Sequence, residues 1–182
     1  MAGDGQLHAS LVLDLADLLE AAGFGITRMD ALGYPPPKTY QGHRPDLLGE
    51  QLVIRAPIIG EAKIGPDLRS AHTLMQLHAF SRVLVPTSPV TYAGLIVAVP
   101  GPWAAEAWFA LREANANVAK TLVAGKWNSG WEITFPPKAG AALWRAFGRG
   151  TRARSWPSGA ASSPPASGAG GVTSRSFLDA LT

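Results

Sequence analysis

Hydrophobic residues recur at helical spacing at the start of the chain. Between residues 6 and 22 they share one side of a helix: Leu7, Leu11, Leu15, Leu18, Leu19 and Ala22. Asp4 is a suitable N-cap, and Gly23 is a suitable residue just beyond the last turn. This stretch therefore predicts an amphipathic helix over 6–22.

Short apolar runs bounded by Gly and Pro then predict alternating strands and helices. The predicted elements are a strand at 24–32, a strand pair at 45–55 and 57–64, a helix at 67–82, a buried strand at 91–100, a helix at 102–120, a hairpin at 121–135 and a short helix at 140–148. Within the strand pair, both 49–51 and 55–57 are candidate turns. The order predicts an α/β fold, with an αβββαβ core built on a mixed sheet and a C-terminal helix-hairpin-helix addition.

The composition changes after residue 148. The segment 149–182 is dominated by Ser, Pro, Gly and Ala, which bury too little apolar surface to offset the entropy of ordering. We expect a folded domain over 1–148 and a disordered tail over 149–182. Residues 176–181 could form a short helix that binds an unknown protein partner.

Composition excludes several classes of protein. The chain has no cysteine, so disulfides and thiolate metal sites are ruled out. The N-terminus has no basic start, and apolar runs such as 93–99 are far shorter than the roughly 20 residues that cross a bilayer. We therefore expect a cytoplasmic protein without a membrane segment.

Charge is distributed unevenly along the chain. Basic residues are concentrated after Asp67, and Lys138–Arg154 contains bases and no acid. A basic face can attract a polyanion such as DNA, although a solvated surface explains the same pattern.

Two acids and a lysine form the candidate reactive site. Glu61 and Lys63 are separated by one residue, so on a strand they point to the same side of the sheet. Asp46 follows Pro45 and would lie on a neighbouring strand. Two carboxylates and an ammonium are costly to bury together unless they bind something, and Mg²⁺ is a suitable ligand for carboxylate oxygens.

This pattern resembles the PD-(D/E)XK nuclease superfamily, which has a restriction-endonuclease-like fold. The matching residues are Pro45, Asp46, Glu61 and Lys63, within the order helix, three strands, helix, strand over roughly residues 6–100. Some features are similar to Holliday-junction resolvases and to RecB-like members. The resemblance implies an endonuclease that hydrolyses DNA phosphodiester bonds.

The resemblance also implies roles for individual residues. Asp46, Glu61 and the carbonyl of Ala62 would bind Mg²⁺, for which Mn²⁺ is a possible substitute, and Lys63 would orient or activate the water. Gln76 matches a glutamine that faces the site in RecB-like members, although Phe80 stands where their motif has a tyrosine. DNA contacts would come from His43, Arg44 and Arg69. Short nucleases often act as dimers, so a homodimer is possible.

Holliday-junction resolvases carry a glutamate early in the first helix. The comparable region here is apolar, and the helix offers only Asp14, Asp17 or Glu20 as a further acid. Which of these, if any, joins the site stays open.

Two other interpretations remain at this stage. The chain could keep the fold and bind nucleic acid or protein without catalysis, or it could be an unrelated α/β interaction protein with an accidental trio. The aromatic residues leave a similar choice. Trp127 and Trp131 flank the hairpin turn, where they could face each other across the strands or stack on an unpaired base.

Overall fold

The computed structural model describes residues 3–53, 55–84, 94–135 and 152–155. Its elements are α1 (Gly3–Ala21), β1 (Phe24–Met29), β2 (Leu47–Gln51), β3 (Pro57–Ala62), α2 (Ala71–Arg82), β4 (Gly94–Pro100), α3 (Ala104–Glu113), β5 (Thr121–Trp127), β6 (Gly130–Phe135) and β7 (Arg152–Ser155). The strands form one sheet in the order of the chain, β1 to β7. The sheet is mixed and flanked by helices, which confirms the predicted α/β class.

Helix α1 covers one face of the sheet. Its side chains Leu11, Leu15 and Leu19 are buried against Ile58 and Ile96 of the strands. The predicted apolar side is therefore correct from Leu11 onward, whereas Leu7 is half exposed. The helix begins at Gly3, so Asp4 lies inside it and is not its N-cap.

The end of α1 follows the prediction. Gly23 has a φ of 85°, in the left-handed region that glycine occupies without a steric penalty. Its N–H donates to the carbonyl of Glu20. The chain then reverses into β1.

Strands β1, β2 and β3 form an antiparallel meander. The pairing sets Leu47 opposite Gly60 and Glu50 opposite Pro57. In the connection between β2 and β3, the Gln51 N–H donates to the Ala56 carbonyl and the Arg55 N–H donates to the Gln51 carbonyl, and Arg55 has a φ of 58°. The reversal starts after Gln51 and ends before Pro57, so it overlaps the second of the two predicted positions at Arg55 and Ala56.

The predicted helix over 67–82 is in fact two helices. A short 3-10 helix covers Gly65–Arg69, and α2 starts afresh at Ala71, with the Ser70 hydroxyl accepting a hydrogen bond from the Thr73 N–H. The buried face of α2 includes Leu77 and Phe80. Met75, on the same helix, is 55% exposed.

Helices α2 and α3 lie together on the other face of the sheet. They connect the parallel strands β3, β4 and β5 as two crossovers. A second buried cluster joins Leu77 of α2, Trp108 and Leu111 of α3 and Val97 of β4. The carboxyl ends of the three parallel strands thus lie side by side at one end of the sheet.

The predicted hairpin is present as β5 and β6. The prediction that Trp127 and Trp131 face each other across the two strands is wrong. The register pairs Trp127 with Gly130 and Trp131 with Lys126. Trp131 packs against the α1 side of the sheet. Trp127 continues the alternation of Val123, which packs on the α3 side. A one-residue offset therefore sends the two rings to opposite faces.

One strand beyond the hairpin was not anticipated. Strand β7 pairs parallel to β6, within the segment that the sequence assigned to the tail. The predicted helix at 140–148 and the tail segment after Ser155 lie outside the described residues. Among the helices that the structure describes, none has the length and hydropathy that a bilayer crossing requires.

Candidate functional site

The register of β2 and β3 brings the two predicted carboxylates together. Leu47 pairs with Gly60 in an antiparallel ladder, so Asp46, one residue before β2, lies opposite Glu61. Residues directly opposite each other in such a ladder have Cβ atoms about 4.5–5.5 Å apart. Residues 15 positions apart in sequence therefore meet at one point.

Hydrogen bonds fix both carboxylates. The Asp46 N–H donates to Glu61 Oε2 at 3.2 Å, and the Ala62 N–H donates to Asp46 Oδ2 at 2.7 Å. Each acid thus accepts from the strand that carries the other. This reciprocal pattern holds the two carboxyl groups side by side.

Lys63 completes the predicted trio. Its Nζ lies 2.6 Å from Glu61 Oε1, and its side chain is only 12% exposed. The Lys63 N–H donates to the carbonyl of Ala98, which anchors the residue beside β4. Ile59, Glu61 and Lys63 alternate to one face of β3, the face covered by α2 and α3.

The Glu61 carboxyl is almost completely buried, at 1% exposure. Burial, with a further contribution from the Asp46 carboxylate, raises the pKa of Glu61 to about 8, although Lys63 acts in the opposite direction. One ammonium group therefore compensates only part of the cost of two adjacent carboxylates. A bound cation would offset the remaining cost, because it favours the charged form of Glu61.

Sequence reasoning missed His8. Its Nε2 lies 3.4 Å from Asp46 Oδ2 and 3.2 Å from the Ala62 carbonyl oxygen. The hydrogen bond to Asp46 raises the pKa of His8, against a smaller lowering by burial. One signal was available in the sequence: His8 lies one helical turn before Leu11 and Val12, where the buried side of α1 begins, so it could be expected near the sheet.

The first-helix acids do not take the position of His8. Asp14 pairs with Lys126 of β5 at 3.3 Å, across the sheet from β2. Asp17 and Glu20 are exposed. The α1 residue that contacts Asp46 is therefore a histidine in the first turns of the helix.

Gln76 lies on the buried side of α2, which covers the same face as Glu61 and Lys63. The side chain is 8% exposed, and its Oε1 has no hydrogen-bond partner among the described residues. A buried carbonyl without a donor costs about 1–3 kcal/mol. Gln76 is thus a position where a water or a ligand N–H or O–H group would be stabilised.

The three predicted DNA-contacting residues occupy different settings. The His43 ring lies 5.5 Å from the His72 ring, centroid to centroid, and lines an open cleft of about 400 Å³. Arg44 is exposed next to it. Arg69 ends the 3-10 helix and forms an ion pair with Glu106 of α3.

The donor set suits a hard cation with an open coordination shell. Among residues 3–53, 55–84, 94–135 and 152–155, no group of three or more His, Cys, Asp or Glu side chains is arranged to hold a metal ion. Asp46 and Glu61 nevertheless offer two carboxylates, and the Ala62 carbonyl lies on the same strand. Mg²⁺ in proteins is commonly held by one or two carboxylates, with waters and substrate phosphates as the other ligands. These residues therefore fit Mg²⁺ better than a metal that needs a complete protein cage.

No family model, curated protein or solved structure matches this chain.

Proposed function

We propose that the chain is a metal-dependent nuclease that hydrolyses DNA phosphodiester bonds. Two features support this. The element order helix, three strands, helix, strand is the one expected of the restriction-endonuclease-like fold. The residues Asp46, Glu61 and Lys63, which resemble the PD-(D/E)XK pattern, lie together where β2 begins and β3 ends.

The observation that carries the proposal is the pairing of Asp46 with Glu61. Two carboxyl groups directly opposite each other in a sheet are destabilising when both are charged, and burial beside Asp46 raises the pKa of Glu61 to about 8. An arrangement with this cost is expected where the charges bind something. Mg²⁺ and a phosphodiester together would balance the charges of the trio.

Each residue has a distinct chemical role in this proposal. Asp46, Glu61 and the Ala62 carbonyl would hold Mg²⁺, with Mn²⁺ as a possible substitute. When bound, the cation would supply positive charge for the phosphate and favour a nucleophilic water. Lys63 donates hydrogen bonds from a nearly buried ammonium, so it can orient the attacking water or neutralise a phosphate oxygen.

A second candidate is a nucleic-acid-binding or protein-binding module of the same fold that lacks catalysis. It is favoured by the absence, in the part of the chain that the structure describes, of a metal-holding group of three side chains. The oxygens of Glu61 are also already satisfied by Asp46 and Lys63. Catalysis distinguishes this candidate from the first.

The test is cleavage by the purified full chain. We expect Mg²⁺ or Mn²⁺ to support cleavage of labelled single-stranded, linear, nicked or branched DNA, and EDTA to stop it. Asp46→Asn, Glu61→Gln and Lys63→Met should each lower the rate at least about 100-fold, as removal of a group that stabilises charge in a transition state does.

Matched controls come from the same sheet. Glu50→Gln removes a carboxylate from the far end of β2, and Lys126→Met removes a lysine from β5. Both should cleave at the wild-type rate. Equal cleavage by the trio variants and the controls would point to a contaminating nuclease, and DNA binding without any cleavage would favour the non-catalytic module.

A further inference from the structure

Two tryptophan side chains lie at the edge of the sheet where the parallel strands end. Trp103 precedes α3 and is 39% exposed, and Trp127 ends β5 and is 41% exposed. The neighbouring Trp108, by contrast, is buried and donates to Thr134 Oγ1. Trp103 and Trp127 thus present ring surface to solvent where a core tryptophan would not.

Each of these rings is seated on a glycine. A Cβ atom at Gly65 would overlap the indole of Trp103, and a Cβ atom at Gly101 would overlap the indole of Trp127. The absent side chains allow the rings to lie directly against the backbone. The positions of both rings are therefore fixed by their contacts before any ligand arrives.

Trp103 lies close to the candidate site, and Trp127 lies on the same face of the sheet. Gly65, which supports Trp103, is two residues after Lys63, so their Cα atoms are at most about 7 Å apart. Trp127 follows Val123 and Gly125 on the face of β5 that α3 covers, and a Cβ at Gly125 would lie 3.5 Å from Ala104 of α3. Glu61 and Lys63 point to the same face of the sheet.

A cationic group borders the same surface. Arg69 ends the 3-10 helix that starts at Gly65, and its side chain is 79% exposed while paired with Glu106. Glu106 is three residues after Trp103. A DNA strand lying over Trp103 would therefore pass near the Arg69 guanidinium and the Glu106 carboxylate that pairs with it.

We propose that Trp103 and Trp127 form a stacking platform for unpaired bases, and that the chain acts on DNA with a single-stranded segment next to the scissile phosphate. This inference rests on the nuclease proposed above and specifies its substrate class. A base in a duplex is covered by its neighbours on both sides, whereas an unpaired base can stack on an indole. Such stacking typically contributes about 1–3 kcal/mol per base without regard to sequence.

The test is equilibrium binding by the full chain in EDTA, where no hydrolysis occurs. The probes are a fluorescein-labelled thymidine oligonucleotide, an abasic strand of the same length and a duplex of the same length. Trp103→Leu and Trp127→Leu should each weaken binding of the thymidine strand by about 5- to 150-fold, the stacking energy expressed as an affinity ratio. Binding of the abasic strand and the duplex should change less than about twofold, because their phosphate contacts remain.

Three further variants make the result decisive. Phe109→Leu removes an aromatic ring of α3 that is 43% exposed and is not seated on Gly65 or Gly101, so it should bind like wild type. Trp103→Phe and Trp127→Phe keep a stacking ring and should recover most of the affinity. If a leucine variant does not fold, the corresponding phenylalanine variant still tests whether an aromatic ring at that position supports binding of the thymidine strand.

The proposal is overturned if the tryptophan variants bind the thymidine strand as tightly as wild type does. It is also overturned if their affinity for the abasic strand falls as much as their affinity for the thymidine strand. A failure of the nuclease proposal gives a different result: loss of thymidine binding in the tryptophan variants without metal-dependent cleavage by any form of the protein. Cleavage that depends on the trio, with thymidine binding unaffected by both tryptophans, would remove the platform and retain the nuclease.

Discussion

At the scale of single residues, the environment of Glu61 governs the chemistry of the site. Its carboxyl group is buried and faces the Asp46 carboxylate, and its charged form is stabilised by Lys63 and by the Asp46 N–H. These conditions favour the protonated acid in the metal-free protein. A divalent cation would reverse that preference, because it attracts the charged form.

The raised pKa of Glu61 predicts how stability depends on pH. Between about pH 4.5 and about 8 the folded protein holds a proton that the unfolded chain releases, so unfolding becomes easier as pH rises through this range. The slope for one proton is at most about 1.4 kcal/mol per pH unit. Thermal or urea denaturation in EDTA across this range measures it.

Variants identify the group responsible for this slope. Glu61→Gln should flatten the pH dependence, whereas Glu50→Gln should leave it unchanged. The raised pKa of His8 acts in the same direction, since its stabilising charge is lost as pH rises through the folded-state value. A steep slope that persists in Glu61→Gln and disappears in a His8→Gln variant would assign it to the histidine instead.

His8 carries a second prediction, on metal affinity. Its Nε2 reaches both Asp46 and the Ala62 carbonyl, two of the proposed ligands, and partners of metal ligands typically affect metal affinity by about 10- to 100-fold. We expect His8→Ala to weaken Mn²⁺ binding, measured by titration calorimetry, by a factor in this range.

The control is His72→Ala, which removes an exposed histidine of α2 that contacts His43. It should bind Mn²⁺ like wild type. Tighter Mn²⁺ binding in His8→Ala would contradict the prediction, because it would mean that the imidazole competes with the cation for the same oxygens.

At the scale of elements, the contact between α1 and the centre of the sheet holds the site together. Leu15 is fully buried, and its Cδ2 would lie 3.2 Å from a Cβ atom at Gly60. The bare glycine lets the helix approach β3 one residue before Glu61. The same helix carries His8, so its seating positions one side of the site.

A core truncation in α1 tests this contact. Leu15→Ala should lower the free energy of unfolding by about 2–5 kcal/mol, because it leaves a cavity between helix and sheet. Leu13→Ala, on the half-exposed side of the same helix, should change it by about 0.5 kcal/mol or less. Urea denaturation of both variants measures the difference, and equal losses would mean that α1 is not seated on β3 through Leu15.

At the scale of the whole molecule, the site lies where two layers of the protein meet. His8 approaches Asp46 from the α1 face, whereas Glu61 and Lys63 point to the face covered by α2 and α3. Gln76 and the two exposed tryptophans belong to that second face. A substrate bound at this edge of the sheet would therefore contact both sides of the fold.

Periodicity and short motifs in the sequence were sufficient to predict the buried side of α1 and the trio of Asp46, Glu61 and Lys63. Alternation on β3 put Glu61 and Lys63 on one side, and the apolar spacing of α1 placed Leu11, Leu15 and Leu19 in the core, since both are properties of the local backbone. The trio of Asp46, Glu61 and Lys63 could be predicted because its members lie on strands adjacent in sequence. The break at Ser70 was missed because helix-forming residues continue on both sides of it.

What the sequence determined by itself was the order of elements from α1 to β6, the apolar faces and the identity of the acidic pair and its lysine. Tertiary structure alone decided which distant residue joins them. His8 reaches Asp46 because α1 crosses the end of β2, and Trp127 turns away from Trp131 because the hairpin register is offset by one residue. Contacts between separate elements depend on how the elements pack and on strand register, and no local stretch of the sequence determines either of these.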